Sequence, residues 1–176
     1  MSRIIWVLLI ASLLPVVAVG QDKAKKLEPC RLLTADDAAR IIGAPMQIVD
    51  LSKKNCTYGA YRGRGSLVRG GVLDRSLYFD VTRYKDSRDQ EKAWTKERSA
   101  LDPAKKDQVL VLTEIGDEAY LFGRTGDGML TDYASLSVRK GTVTFSIAIL
   151  LSPGHEPVTL SADALITVAK KIADQL

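Results

Sequence analysis

Only two cysteines, Cys30 and Cys56, follow a strongly apolar opening segment, and together these features set the compartment and the main covalent restraint on the fold. Arg3 supplies a short basic start. The run 4–19 is apolar apart from Ser12 and Pro15, and Ala18-Val19-Gly20 places small residues where signal peptidase cuts. The pattern predicts an export signal over 1–20. A retained membrane anchor is the competing reading, but a bilayer-spanning helix needs about 20 apolar residues and tolerates Pro15 poorly. No cysteine stands at the cut, so lipid attachment there is not expected. Beyond the membrane the compartment is oxidising, and Cys30 and Cys56 are expected to form one bridge. A redox or metal site is disfavoured, because no C-x-x-C spacing exists and His155 is the only histidine.

Residues 21–28 carry Lys23, Lys25 and Lys26 and read as a flexible basic leader; 29–176 then reads as a single exported domain. The chain has 25 basic and 21 acidic residues. This small excess implies no particular partner, and export further disfavours nucleic acid, so none is expected. No metal or cofactor is expected, no integral membrane span remains after cleavage, and a monomer is the expected state. A secreted or periplasmic location follows.

Hydrophobic periodicity predicts the elements. Ala35, Ala38, Ala39 and Ile42 fall at helical spacing behind Thr34 as N-cap, with Gly43 and Pro45 as stops. Asp36 and Asp37 sit in the first turn, where the helix dipole favours them. Strands are expected near 46–51, 55–61, 76–84, 109–112, 115–122, 130–139 and 142–151. In the last, Val143, Phe145, Ile147 and Ile149 face one side and Thr144, Ser146 and Ala148 the other. A second helix over 87–101 begins with a Ser87–Gln90 capping box and has only a narrow stripe of Ala93, Trp94 and Leu101. A third starts near Ser161, with Leu165, Val168, Ala169, Ile172 and Leu176 on one face. Hairpin-length connections and one apolar sheet face predict an α+β fold: a single domain, an antiparallel sheet with helices packed on one face, and one disulfide.

Three segments carry a likeness: Pro29-Cys30-Arg31-Leu32-Leu33-Thr34, continued by Asp37-Ala38-Ala39 and Ile42-Gly43-Ala44-Pro45; Cys56-Thr57-Tyr58; and Gly116-Asp117-Glu118-Ala119-Tyr120. The chain resembles a group of small exported bacterial domains of unknown function, many of them actinobacterial lipoproteins. The resemblance implies a bond between Cys30 and Cys56 and supplies no catalytic residues.

Few residues suggest chemistry. His155 lies in a proline-bounded loop, no G-x-S-x-G elbow occurs, and the 61–71 stretch with Arg62, Arg64 and Arg69 lacks both phosphate-loop spacings. Asp127 lacks the spaced oxygens of a calcium loop. The expected function is non-catalytic binding of a ligand, partner protein or cell-envelope component. The expected surface is the polar sheet face, with Tyr78, Tyr84, Tyr133 and Arg139 as ligand-binding residues among small hydroxyls. The alternative is a small secreted hydrolase using carboxylates such as Glu118, or His155.

Overall fold

A computed structural model describes residues 27–61, 73–100, 109–124, 130–153 and 160–176. The export segment, most of the leader, Arg62, Arg64, Arg69, Leu101, Asp127 and His155 lie outside them.

The elements in chain order are α1 (Pro29–Leu32), α2 (Ala35–Ile42), β1 (Gln47–Leu51), β2 (Asn55–Tyr61), β3 (Leu73–Arg83), α3 (Ser87–Ser99), β4 (Val109–Leu112), β5 (Glu118–Arg124), β6 (Leu130–Lys140), β7 (Val143–Leu151) and α4 (Ala162–Ala173). The strands form one antiparallel sheet in the order β1-β2-β3-β7-β6-β5-β4. Two meanders, β1–β3 and β4–β7, therefore meet where β3 pairs with β7. Among the described residues no helix is long and apolar enough to cross a membrane.

Period-two alternation builds the core. Leu77, Phe79 and Val81 of β3 share a face with Phe145, Ile147 and Ile149 of β7, with Leu136 and Val138 of β6, and with Ala119 and Leu121 of β5. Ile41 and Ile42 of α2 and Leu165, Val168 and Ile172 of α4 complete that cluster. The Phe79 and Phe145 rings lie 6.0 Å apart in a tilted pair. Truncating any of these side chains removes apolar contacts that water cannot replace.

The bond between Cys30 and Cys56 is present and ties α1 to β2. Four residues cannot hold a helix alone in water, so α1 depends on this bond and on its neighbours. Nearby, the buried Tyr58 hydroxyl donates to the Leu33 carbonyl. Burial, with the Asp37 carboxylate adding to it, pushes the Tyr58 phenol up to about 12, so it remains a donor at any physiological pH.

Thr34 and Asp37 form a reciprocal capping box at the start of α2, and Gly43 ends the helix in the left-handed region at φ 73°. Asp37 does more than cap. It is buried, and both of its carboxylate oxygens accept from Lys171 Nζ, at 3.0 and 2.8 Å, which fastens α2 to α4. Burial alone would raise this carboxyl; the bonds from Lys171 and Thr34 outweigh it and leave the pKa below the ordinary 3.8. A carboxyl depressed on folding stabilises at pH values above its unfolded pKa, and that contribution fades as pH falls through the folded one. Asp37→Asn is therefore expected to cost about 2 kcal/mol near neutral pH. Urea titrations of the two proteins should converge below pH 3.8; a gap that stays constant into acid would contradict the ion pair's role.

Helix placement departs from the sequence expectation. α1, α2 and α4 pack with the apolar face, but α3 lies on the opposite one, where it bonds to Glu118, Tyr120, Ser137 and Arg139. These side chains alternate with the core residues of β5 and β6. The start of α3 also differs: its N-cap is Asp86, which accepts from the Asp89 backbone N–H at 2.9 Å, in place of Ser87.

Candidate functional site

Strand register arranges the polar face in cross-strand rows. One row runs Gly59, Ser76, Leu150, Tyr133. The next runs Thr57, Tyr78, Ala148, Ser135, Phe122, Val109. A third runs Asn55, Asp80, Ser146, Ser137, Tyr120, Val111, and a fourth runs Thr82, Thr144, Arg139, Glu118.

α3 covers the β5–β6 side of the third and fourth rows. Trp94 is 2 % exposed, and its ring lies 5.2 Å from Tyr120. Its indole N–H donates to Glu118 Oε2 at 2.8 Å, and Arg98 pairs with the other oxygen. Arg139 reaches Glu118 at 3.4 Å and pairs with Glu91. Glu97 Oε1 accepts from the Tyr120 hydroxyl at 2.6 Å and from the Ser137 hydroxyl at 2.7 Å. Burial and the Glu97 bond push the Tyr120 phenol well above its ordinary range, which keeps it a donor. The partly exposed ion pairs add little stability each; the packed Trp94 ring and the satisfied hydroxyls hold the helix in place.

The first two rows are not covered by α3. Tyr78 is 38 % exposed, Leu150 45 % and Tyr133 51 %. Phe122 meets Tyr133 edge-on with ring centroids 6.1 Å apart, so that ring is buttressed. Ser135 and Ala148 form the half-buried floor between the two tyrosines. At the β2 end, Leu73 and Val49 close over Gly59, where a Cβ would lie 2.5 Å from the Leu73 side chain. Small residues and exposed rings thus share one flat surface in the middle of the sheet.

The expected ligand residues divide between the two regions. Tyr78 and Tyr133 lie on the uncovered half, but on strands separated by β7, because β3 and β6 do not pair directly. They also stand in different rows, so at ordinary strand spacing and rise the two are about 12 Å apart. Arg139 is engaged by Glu91 and Glu118 beneath α3. Tyr84 lies beyond the end of β3, where its backbone N–H donates to the Thr142 carbonyl at 2.8 Å. It is six residues along the chain from Tyr78, at the other end of the sheet. Sequence periodicity placed these side chains on one face but could not show that a helix divides that face.

Glu118, the carboxylate weighed for catalysis, is occupied by three donors in the helix anchor. Its neighbours are structural as well. Gly116 has φ 63°, and a Cβ there would lie 2.4 Å from the Arg139 carbonyl oxygen. That glycine lets the chain pass against β6, and Asp117 then accepts from the Gly141 N–H at 2.7 Å to brace the β6–β7 turn. Gly116-Asp117-Glu118-Ala119-Tyr120 is therefore a docking segment for α3 and β6. No group of three or more metal-ligating side chains occurs among the described residues. No protein-family model, curated protein or solved structure matches the chain.

Proposed function

We propose that this chain is an exported, non-catalytic α+β domain that binds a partner or envelope component through the half of its polar sheet face that α3 leaves open. One observation carries the reading: Tyr78, Tyr133 and Leu150 are exposed together on the central strands of the sheet, although α3 lies on the same face. Exposed rings on a fixed scaffold offer large contact area at low entropic cost. The export signal expected over 1–20 and the likeness to small exported bacterial domains support the compartment. The disulfide is compatible with it.

Co-sedimentation with isolated bacterial envelope fragments tests the proposal. The chain should pellet with the fragments. Tyr78→Ala with Tyr133→Ala should reduce the bound fraction about tenfold while leaving the urea midpoint nearly unchanged, because both side chains are exposed. A folded double variant that pellets equally well would refute the site.

A further inference from the structure

Resting on that binding role, we infer that the open half of the face takes an uncharged, linear glycan chain. Three features of the surface point to this chemistry. Its exposed groups are two aromatic rings, Tyr78 on β3 and Tyr133 on β6, the latter held edge-on by Phe122, with the apolar Leu150 side chain beside Tyr133. Sugar rings present apolar C–H faces that stack on such platforms. The tyrosines stand two strands across and one row along the sheet from each other, about 12 Å apart, so a chain of several sugar units is needed to reach both, with Ser135 and Ala148 between them.

The polar groups beside the platform select against negative charge. No lysine or arginine projects from the two open rows among the described residues. The exposed Asp80 carboxylate lies two residues from Tyr78 on the same side of β3, and exposed Asp50 lies opposite Thr57 at the sheet edge. Carboxylates accept hydrogen bonds from neutral sugar hydroxyls and repel an anionic polymer. Beside Asp80 in the adjacent strand, Asn55 Oδ1 is buried without a hydrogen-bond partner, so the amide acceptor there is unsatisfied.

Backbone chemistry argues against an extended peptide as the occupant. A peptide that adds as a strand needs the unpaired N–H and C=O groups of a sheet edge. Tyr78 and Tyr133 lie on β3 and β6, each paired on both sides, so the ladder there is already closed. What remains to bind is a layer of side chains, which favours stacking.

The oxidised full chain is titrated by calorimetry with cellohexaose, chitohexaose and maltohexaose, and with an oligogalacturonate of the same length as the anionic counterpart. At least one neutral hexasaccharide should bind, and more tightly than the oligogalacturonate. Tyr78→Ala and Tyr133→Ala should each weaken that binding about tenfold, whereas Tyr78→Phe, which keeps the ring, should retain most of it. In the unmutated chain the bound sugar should also protect both tyrosines from nitration, a readout that no folding defect can affect. Failure of all three neutral sugars, preference for the anionic one, or undiminished binding by Tyr78→Ala and Tyr133→Ala overturns the glycan assignment. If envelope retention still depends on the two tyrosines when the sugars fail, the binding surface stands and only its ligand class falls. If both fail, both fall.

Discussion

Replacing Cys30 and Cys56 together by serine is expected to lower the unfolding free energy by about 3.5 kcal/mol. The bond joins residues 26 positions apart, and the figure is the chain-entropy gain of opening that loop in the unfolded state. In the folded state the loss concentrates on α1. Its remaining ties include buried Pro29, the packing of Leu32 and Leu33 against the core, and the hydroxyl that Tyr58 donates to the Leu33 carbonyl. Cys56 is fully buried, so serine there also places a hydroxyl in an apolar setting, which adds to the loss. Urea unfolding of the two proteins measures the difference, and a reductant should reproduce its chain-entropy part in the unmutated chain. A drop below about 1 kcal/mol would mean that the bond decorates a segment already held by packing.

The second large effect belongs to Trp94. Trp94→Ala is expected to cost about 3 kcal/mol, the lower end for removing a buried aromatic side chain, because α3 can move away and let water fill the space. Trp94 and Gln90 are the only buried residues of α3, and the rest of the helix is mainly polar and exposed apart from half-buried Ala93. With the ring gone, Glu118 loses the indole donor and Tyr120 its stacking partner. The Gln90 bond to the Val143 carbonyl and the Glu91, Glu97 and Arg98 contacts must then hold the helix, and exposed ion pairs are weak. Amide hydrogen exchange should accelerate throughout α3 while the amides of β3 and β7 stay protected. Trp94→Phe keeps a ring but forfeits the hydrogen bond, and should cost about 1 kcal/mol. Unchanged exchange in α3 for Trp94→Ala would contradict the anchoring role.

Much of this fold was legible in the residues because its signals are local. Val143 to Leu151 alternates without a break and became β7; Thr34 and Gly43 bracket α2; Ser161 opens α4, its hydroxyl accepting from the Ala164 N–H. What periodicity cannot encode is which strands are neighbours. Strand β7 lies between β3 and β6, so tyrosines that share a face do not share a strand pair. The side chosen by α3 was hidden for a related reason. A stripe as narrow as Ala93 and Trp94 signals a surface helix, while the partners that fix it, Glu118, Tyr120, Ser137 and Arg139, look like ordinary half-exposed strand residues. Asp37 was legible as a cap but not as the partner of Lys171, which is 134 positions away. Tyr78 and Tyr133 were visible as strand tyrosines, whereas Arg139, six residues beyond Tyr133 along β6, is held beneath α3.

Limited nitration of the native oxidised chain, followed by peptide mapping, tests most directly whether the sheet face is divided between a helix-covered half and an open half. Tyr78 and Tyr133 should react readily, while Tyr120, which is 3 % exposed beneath Trp94, and the fully buried Tyr58 should stay unmodified until the protein unfolds. Nitration of Tyr120 as fast as Tyr78, or protection of Tyr78 and Tyr133 in the ligand-free chain, would contradict that division.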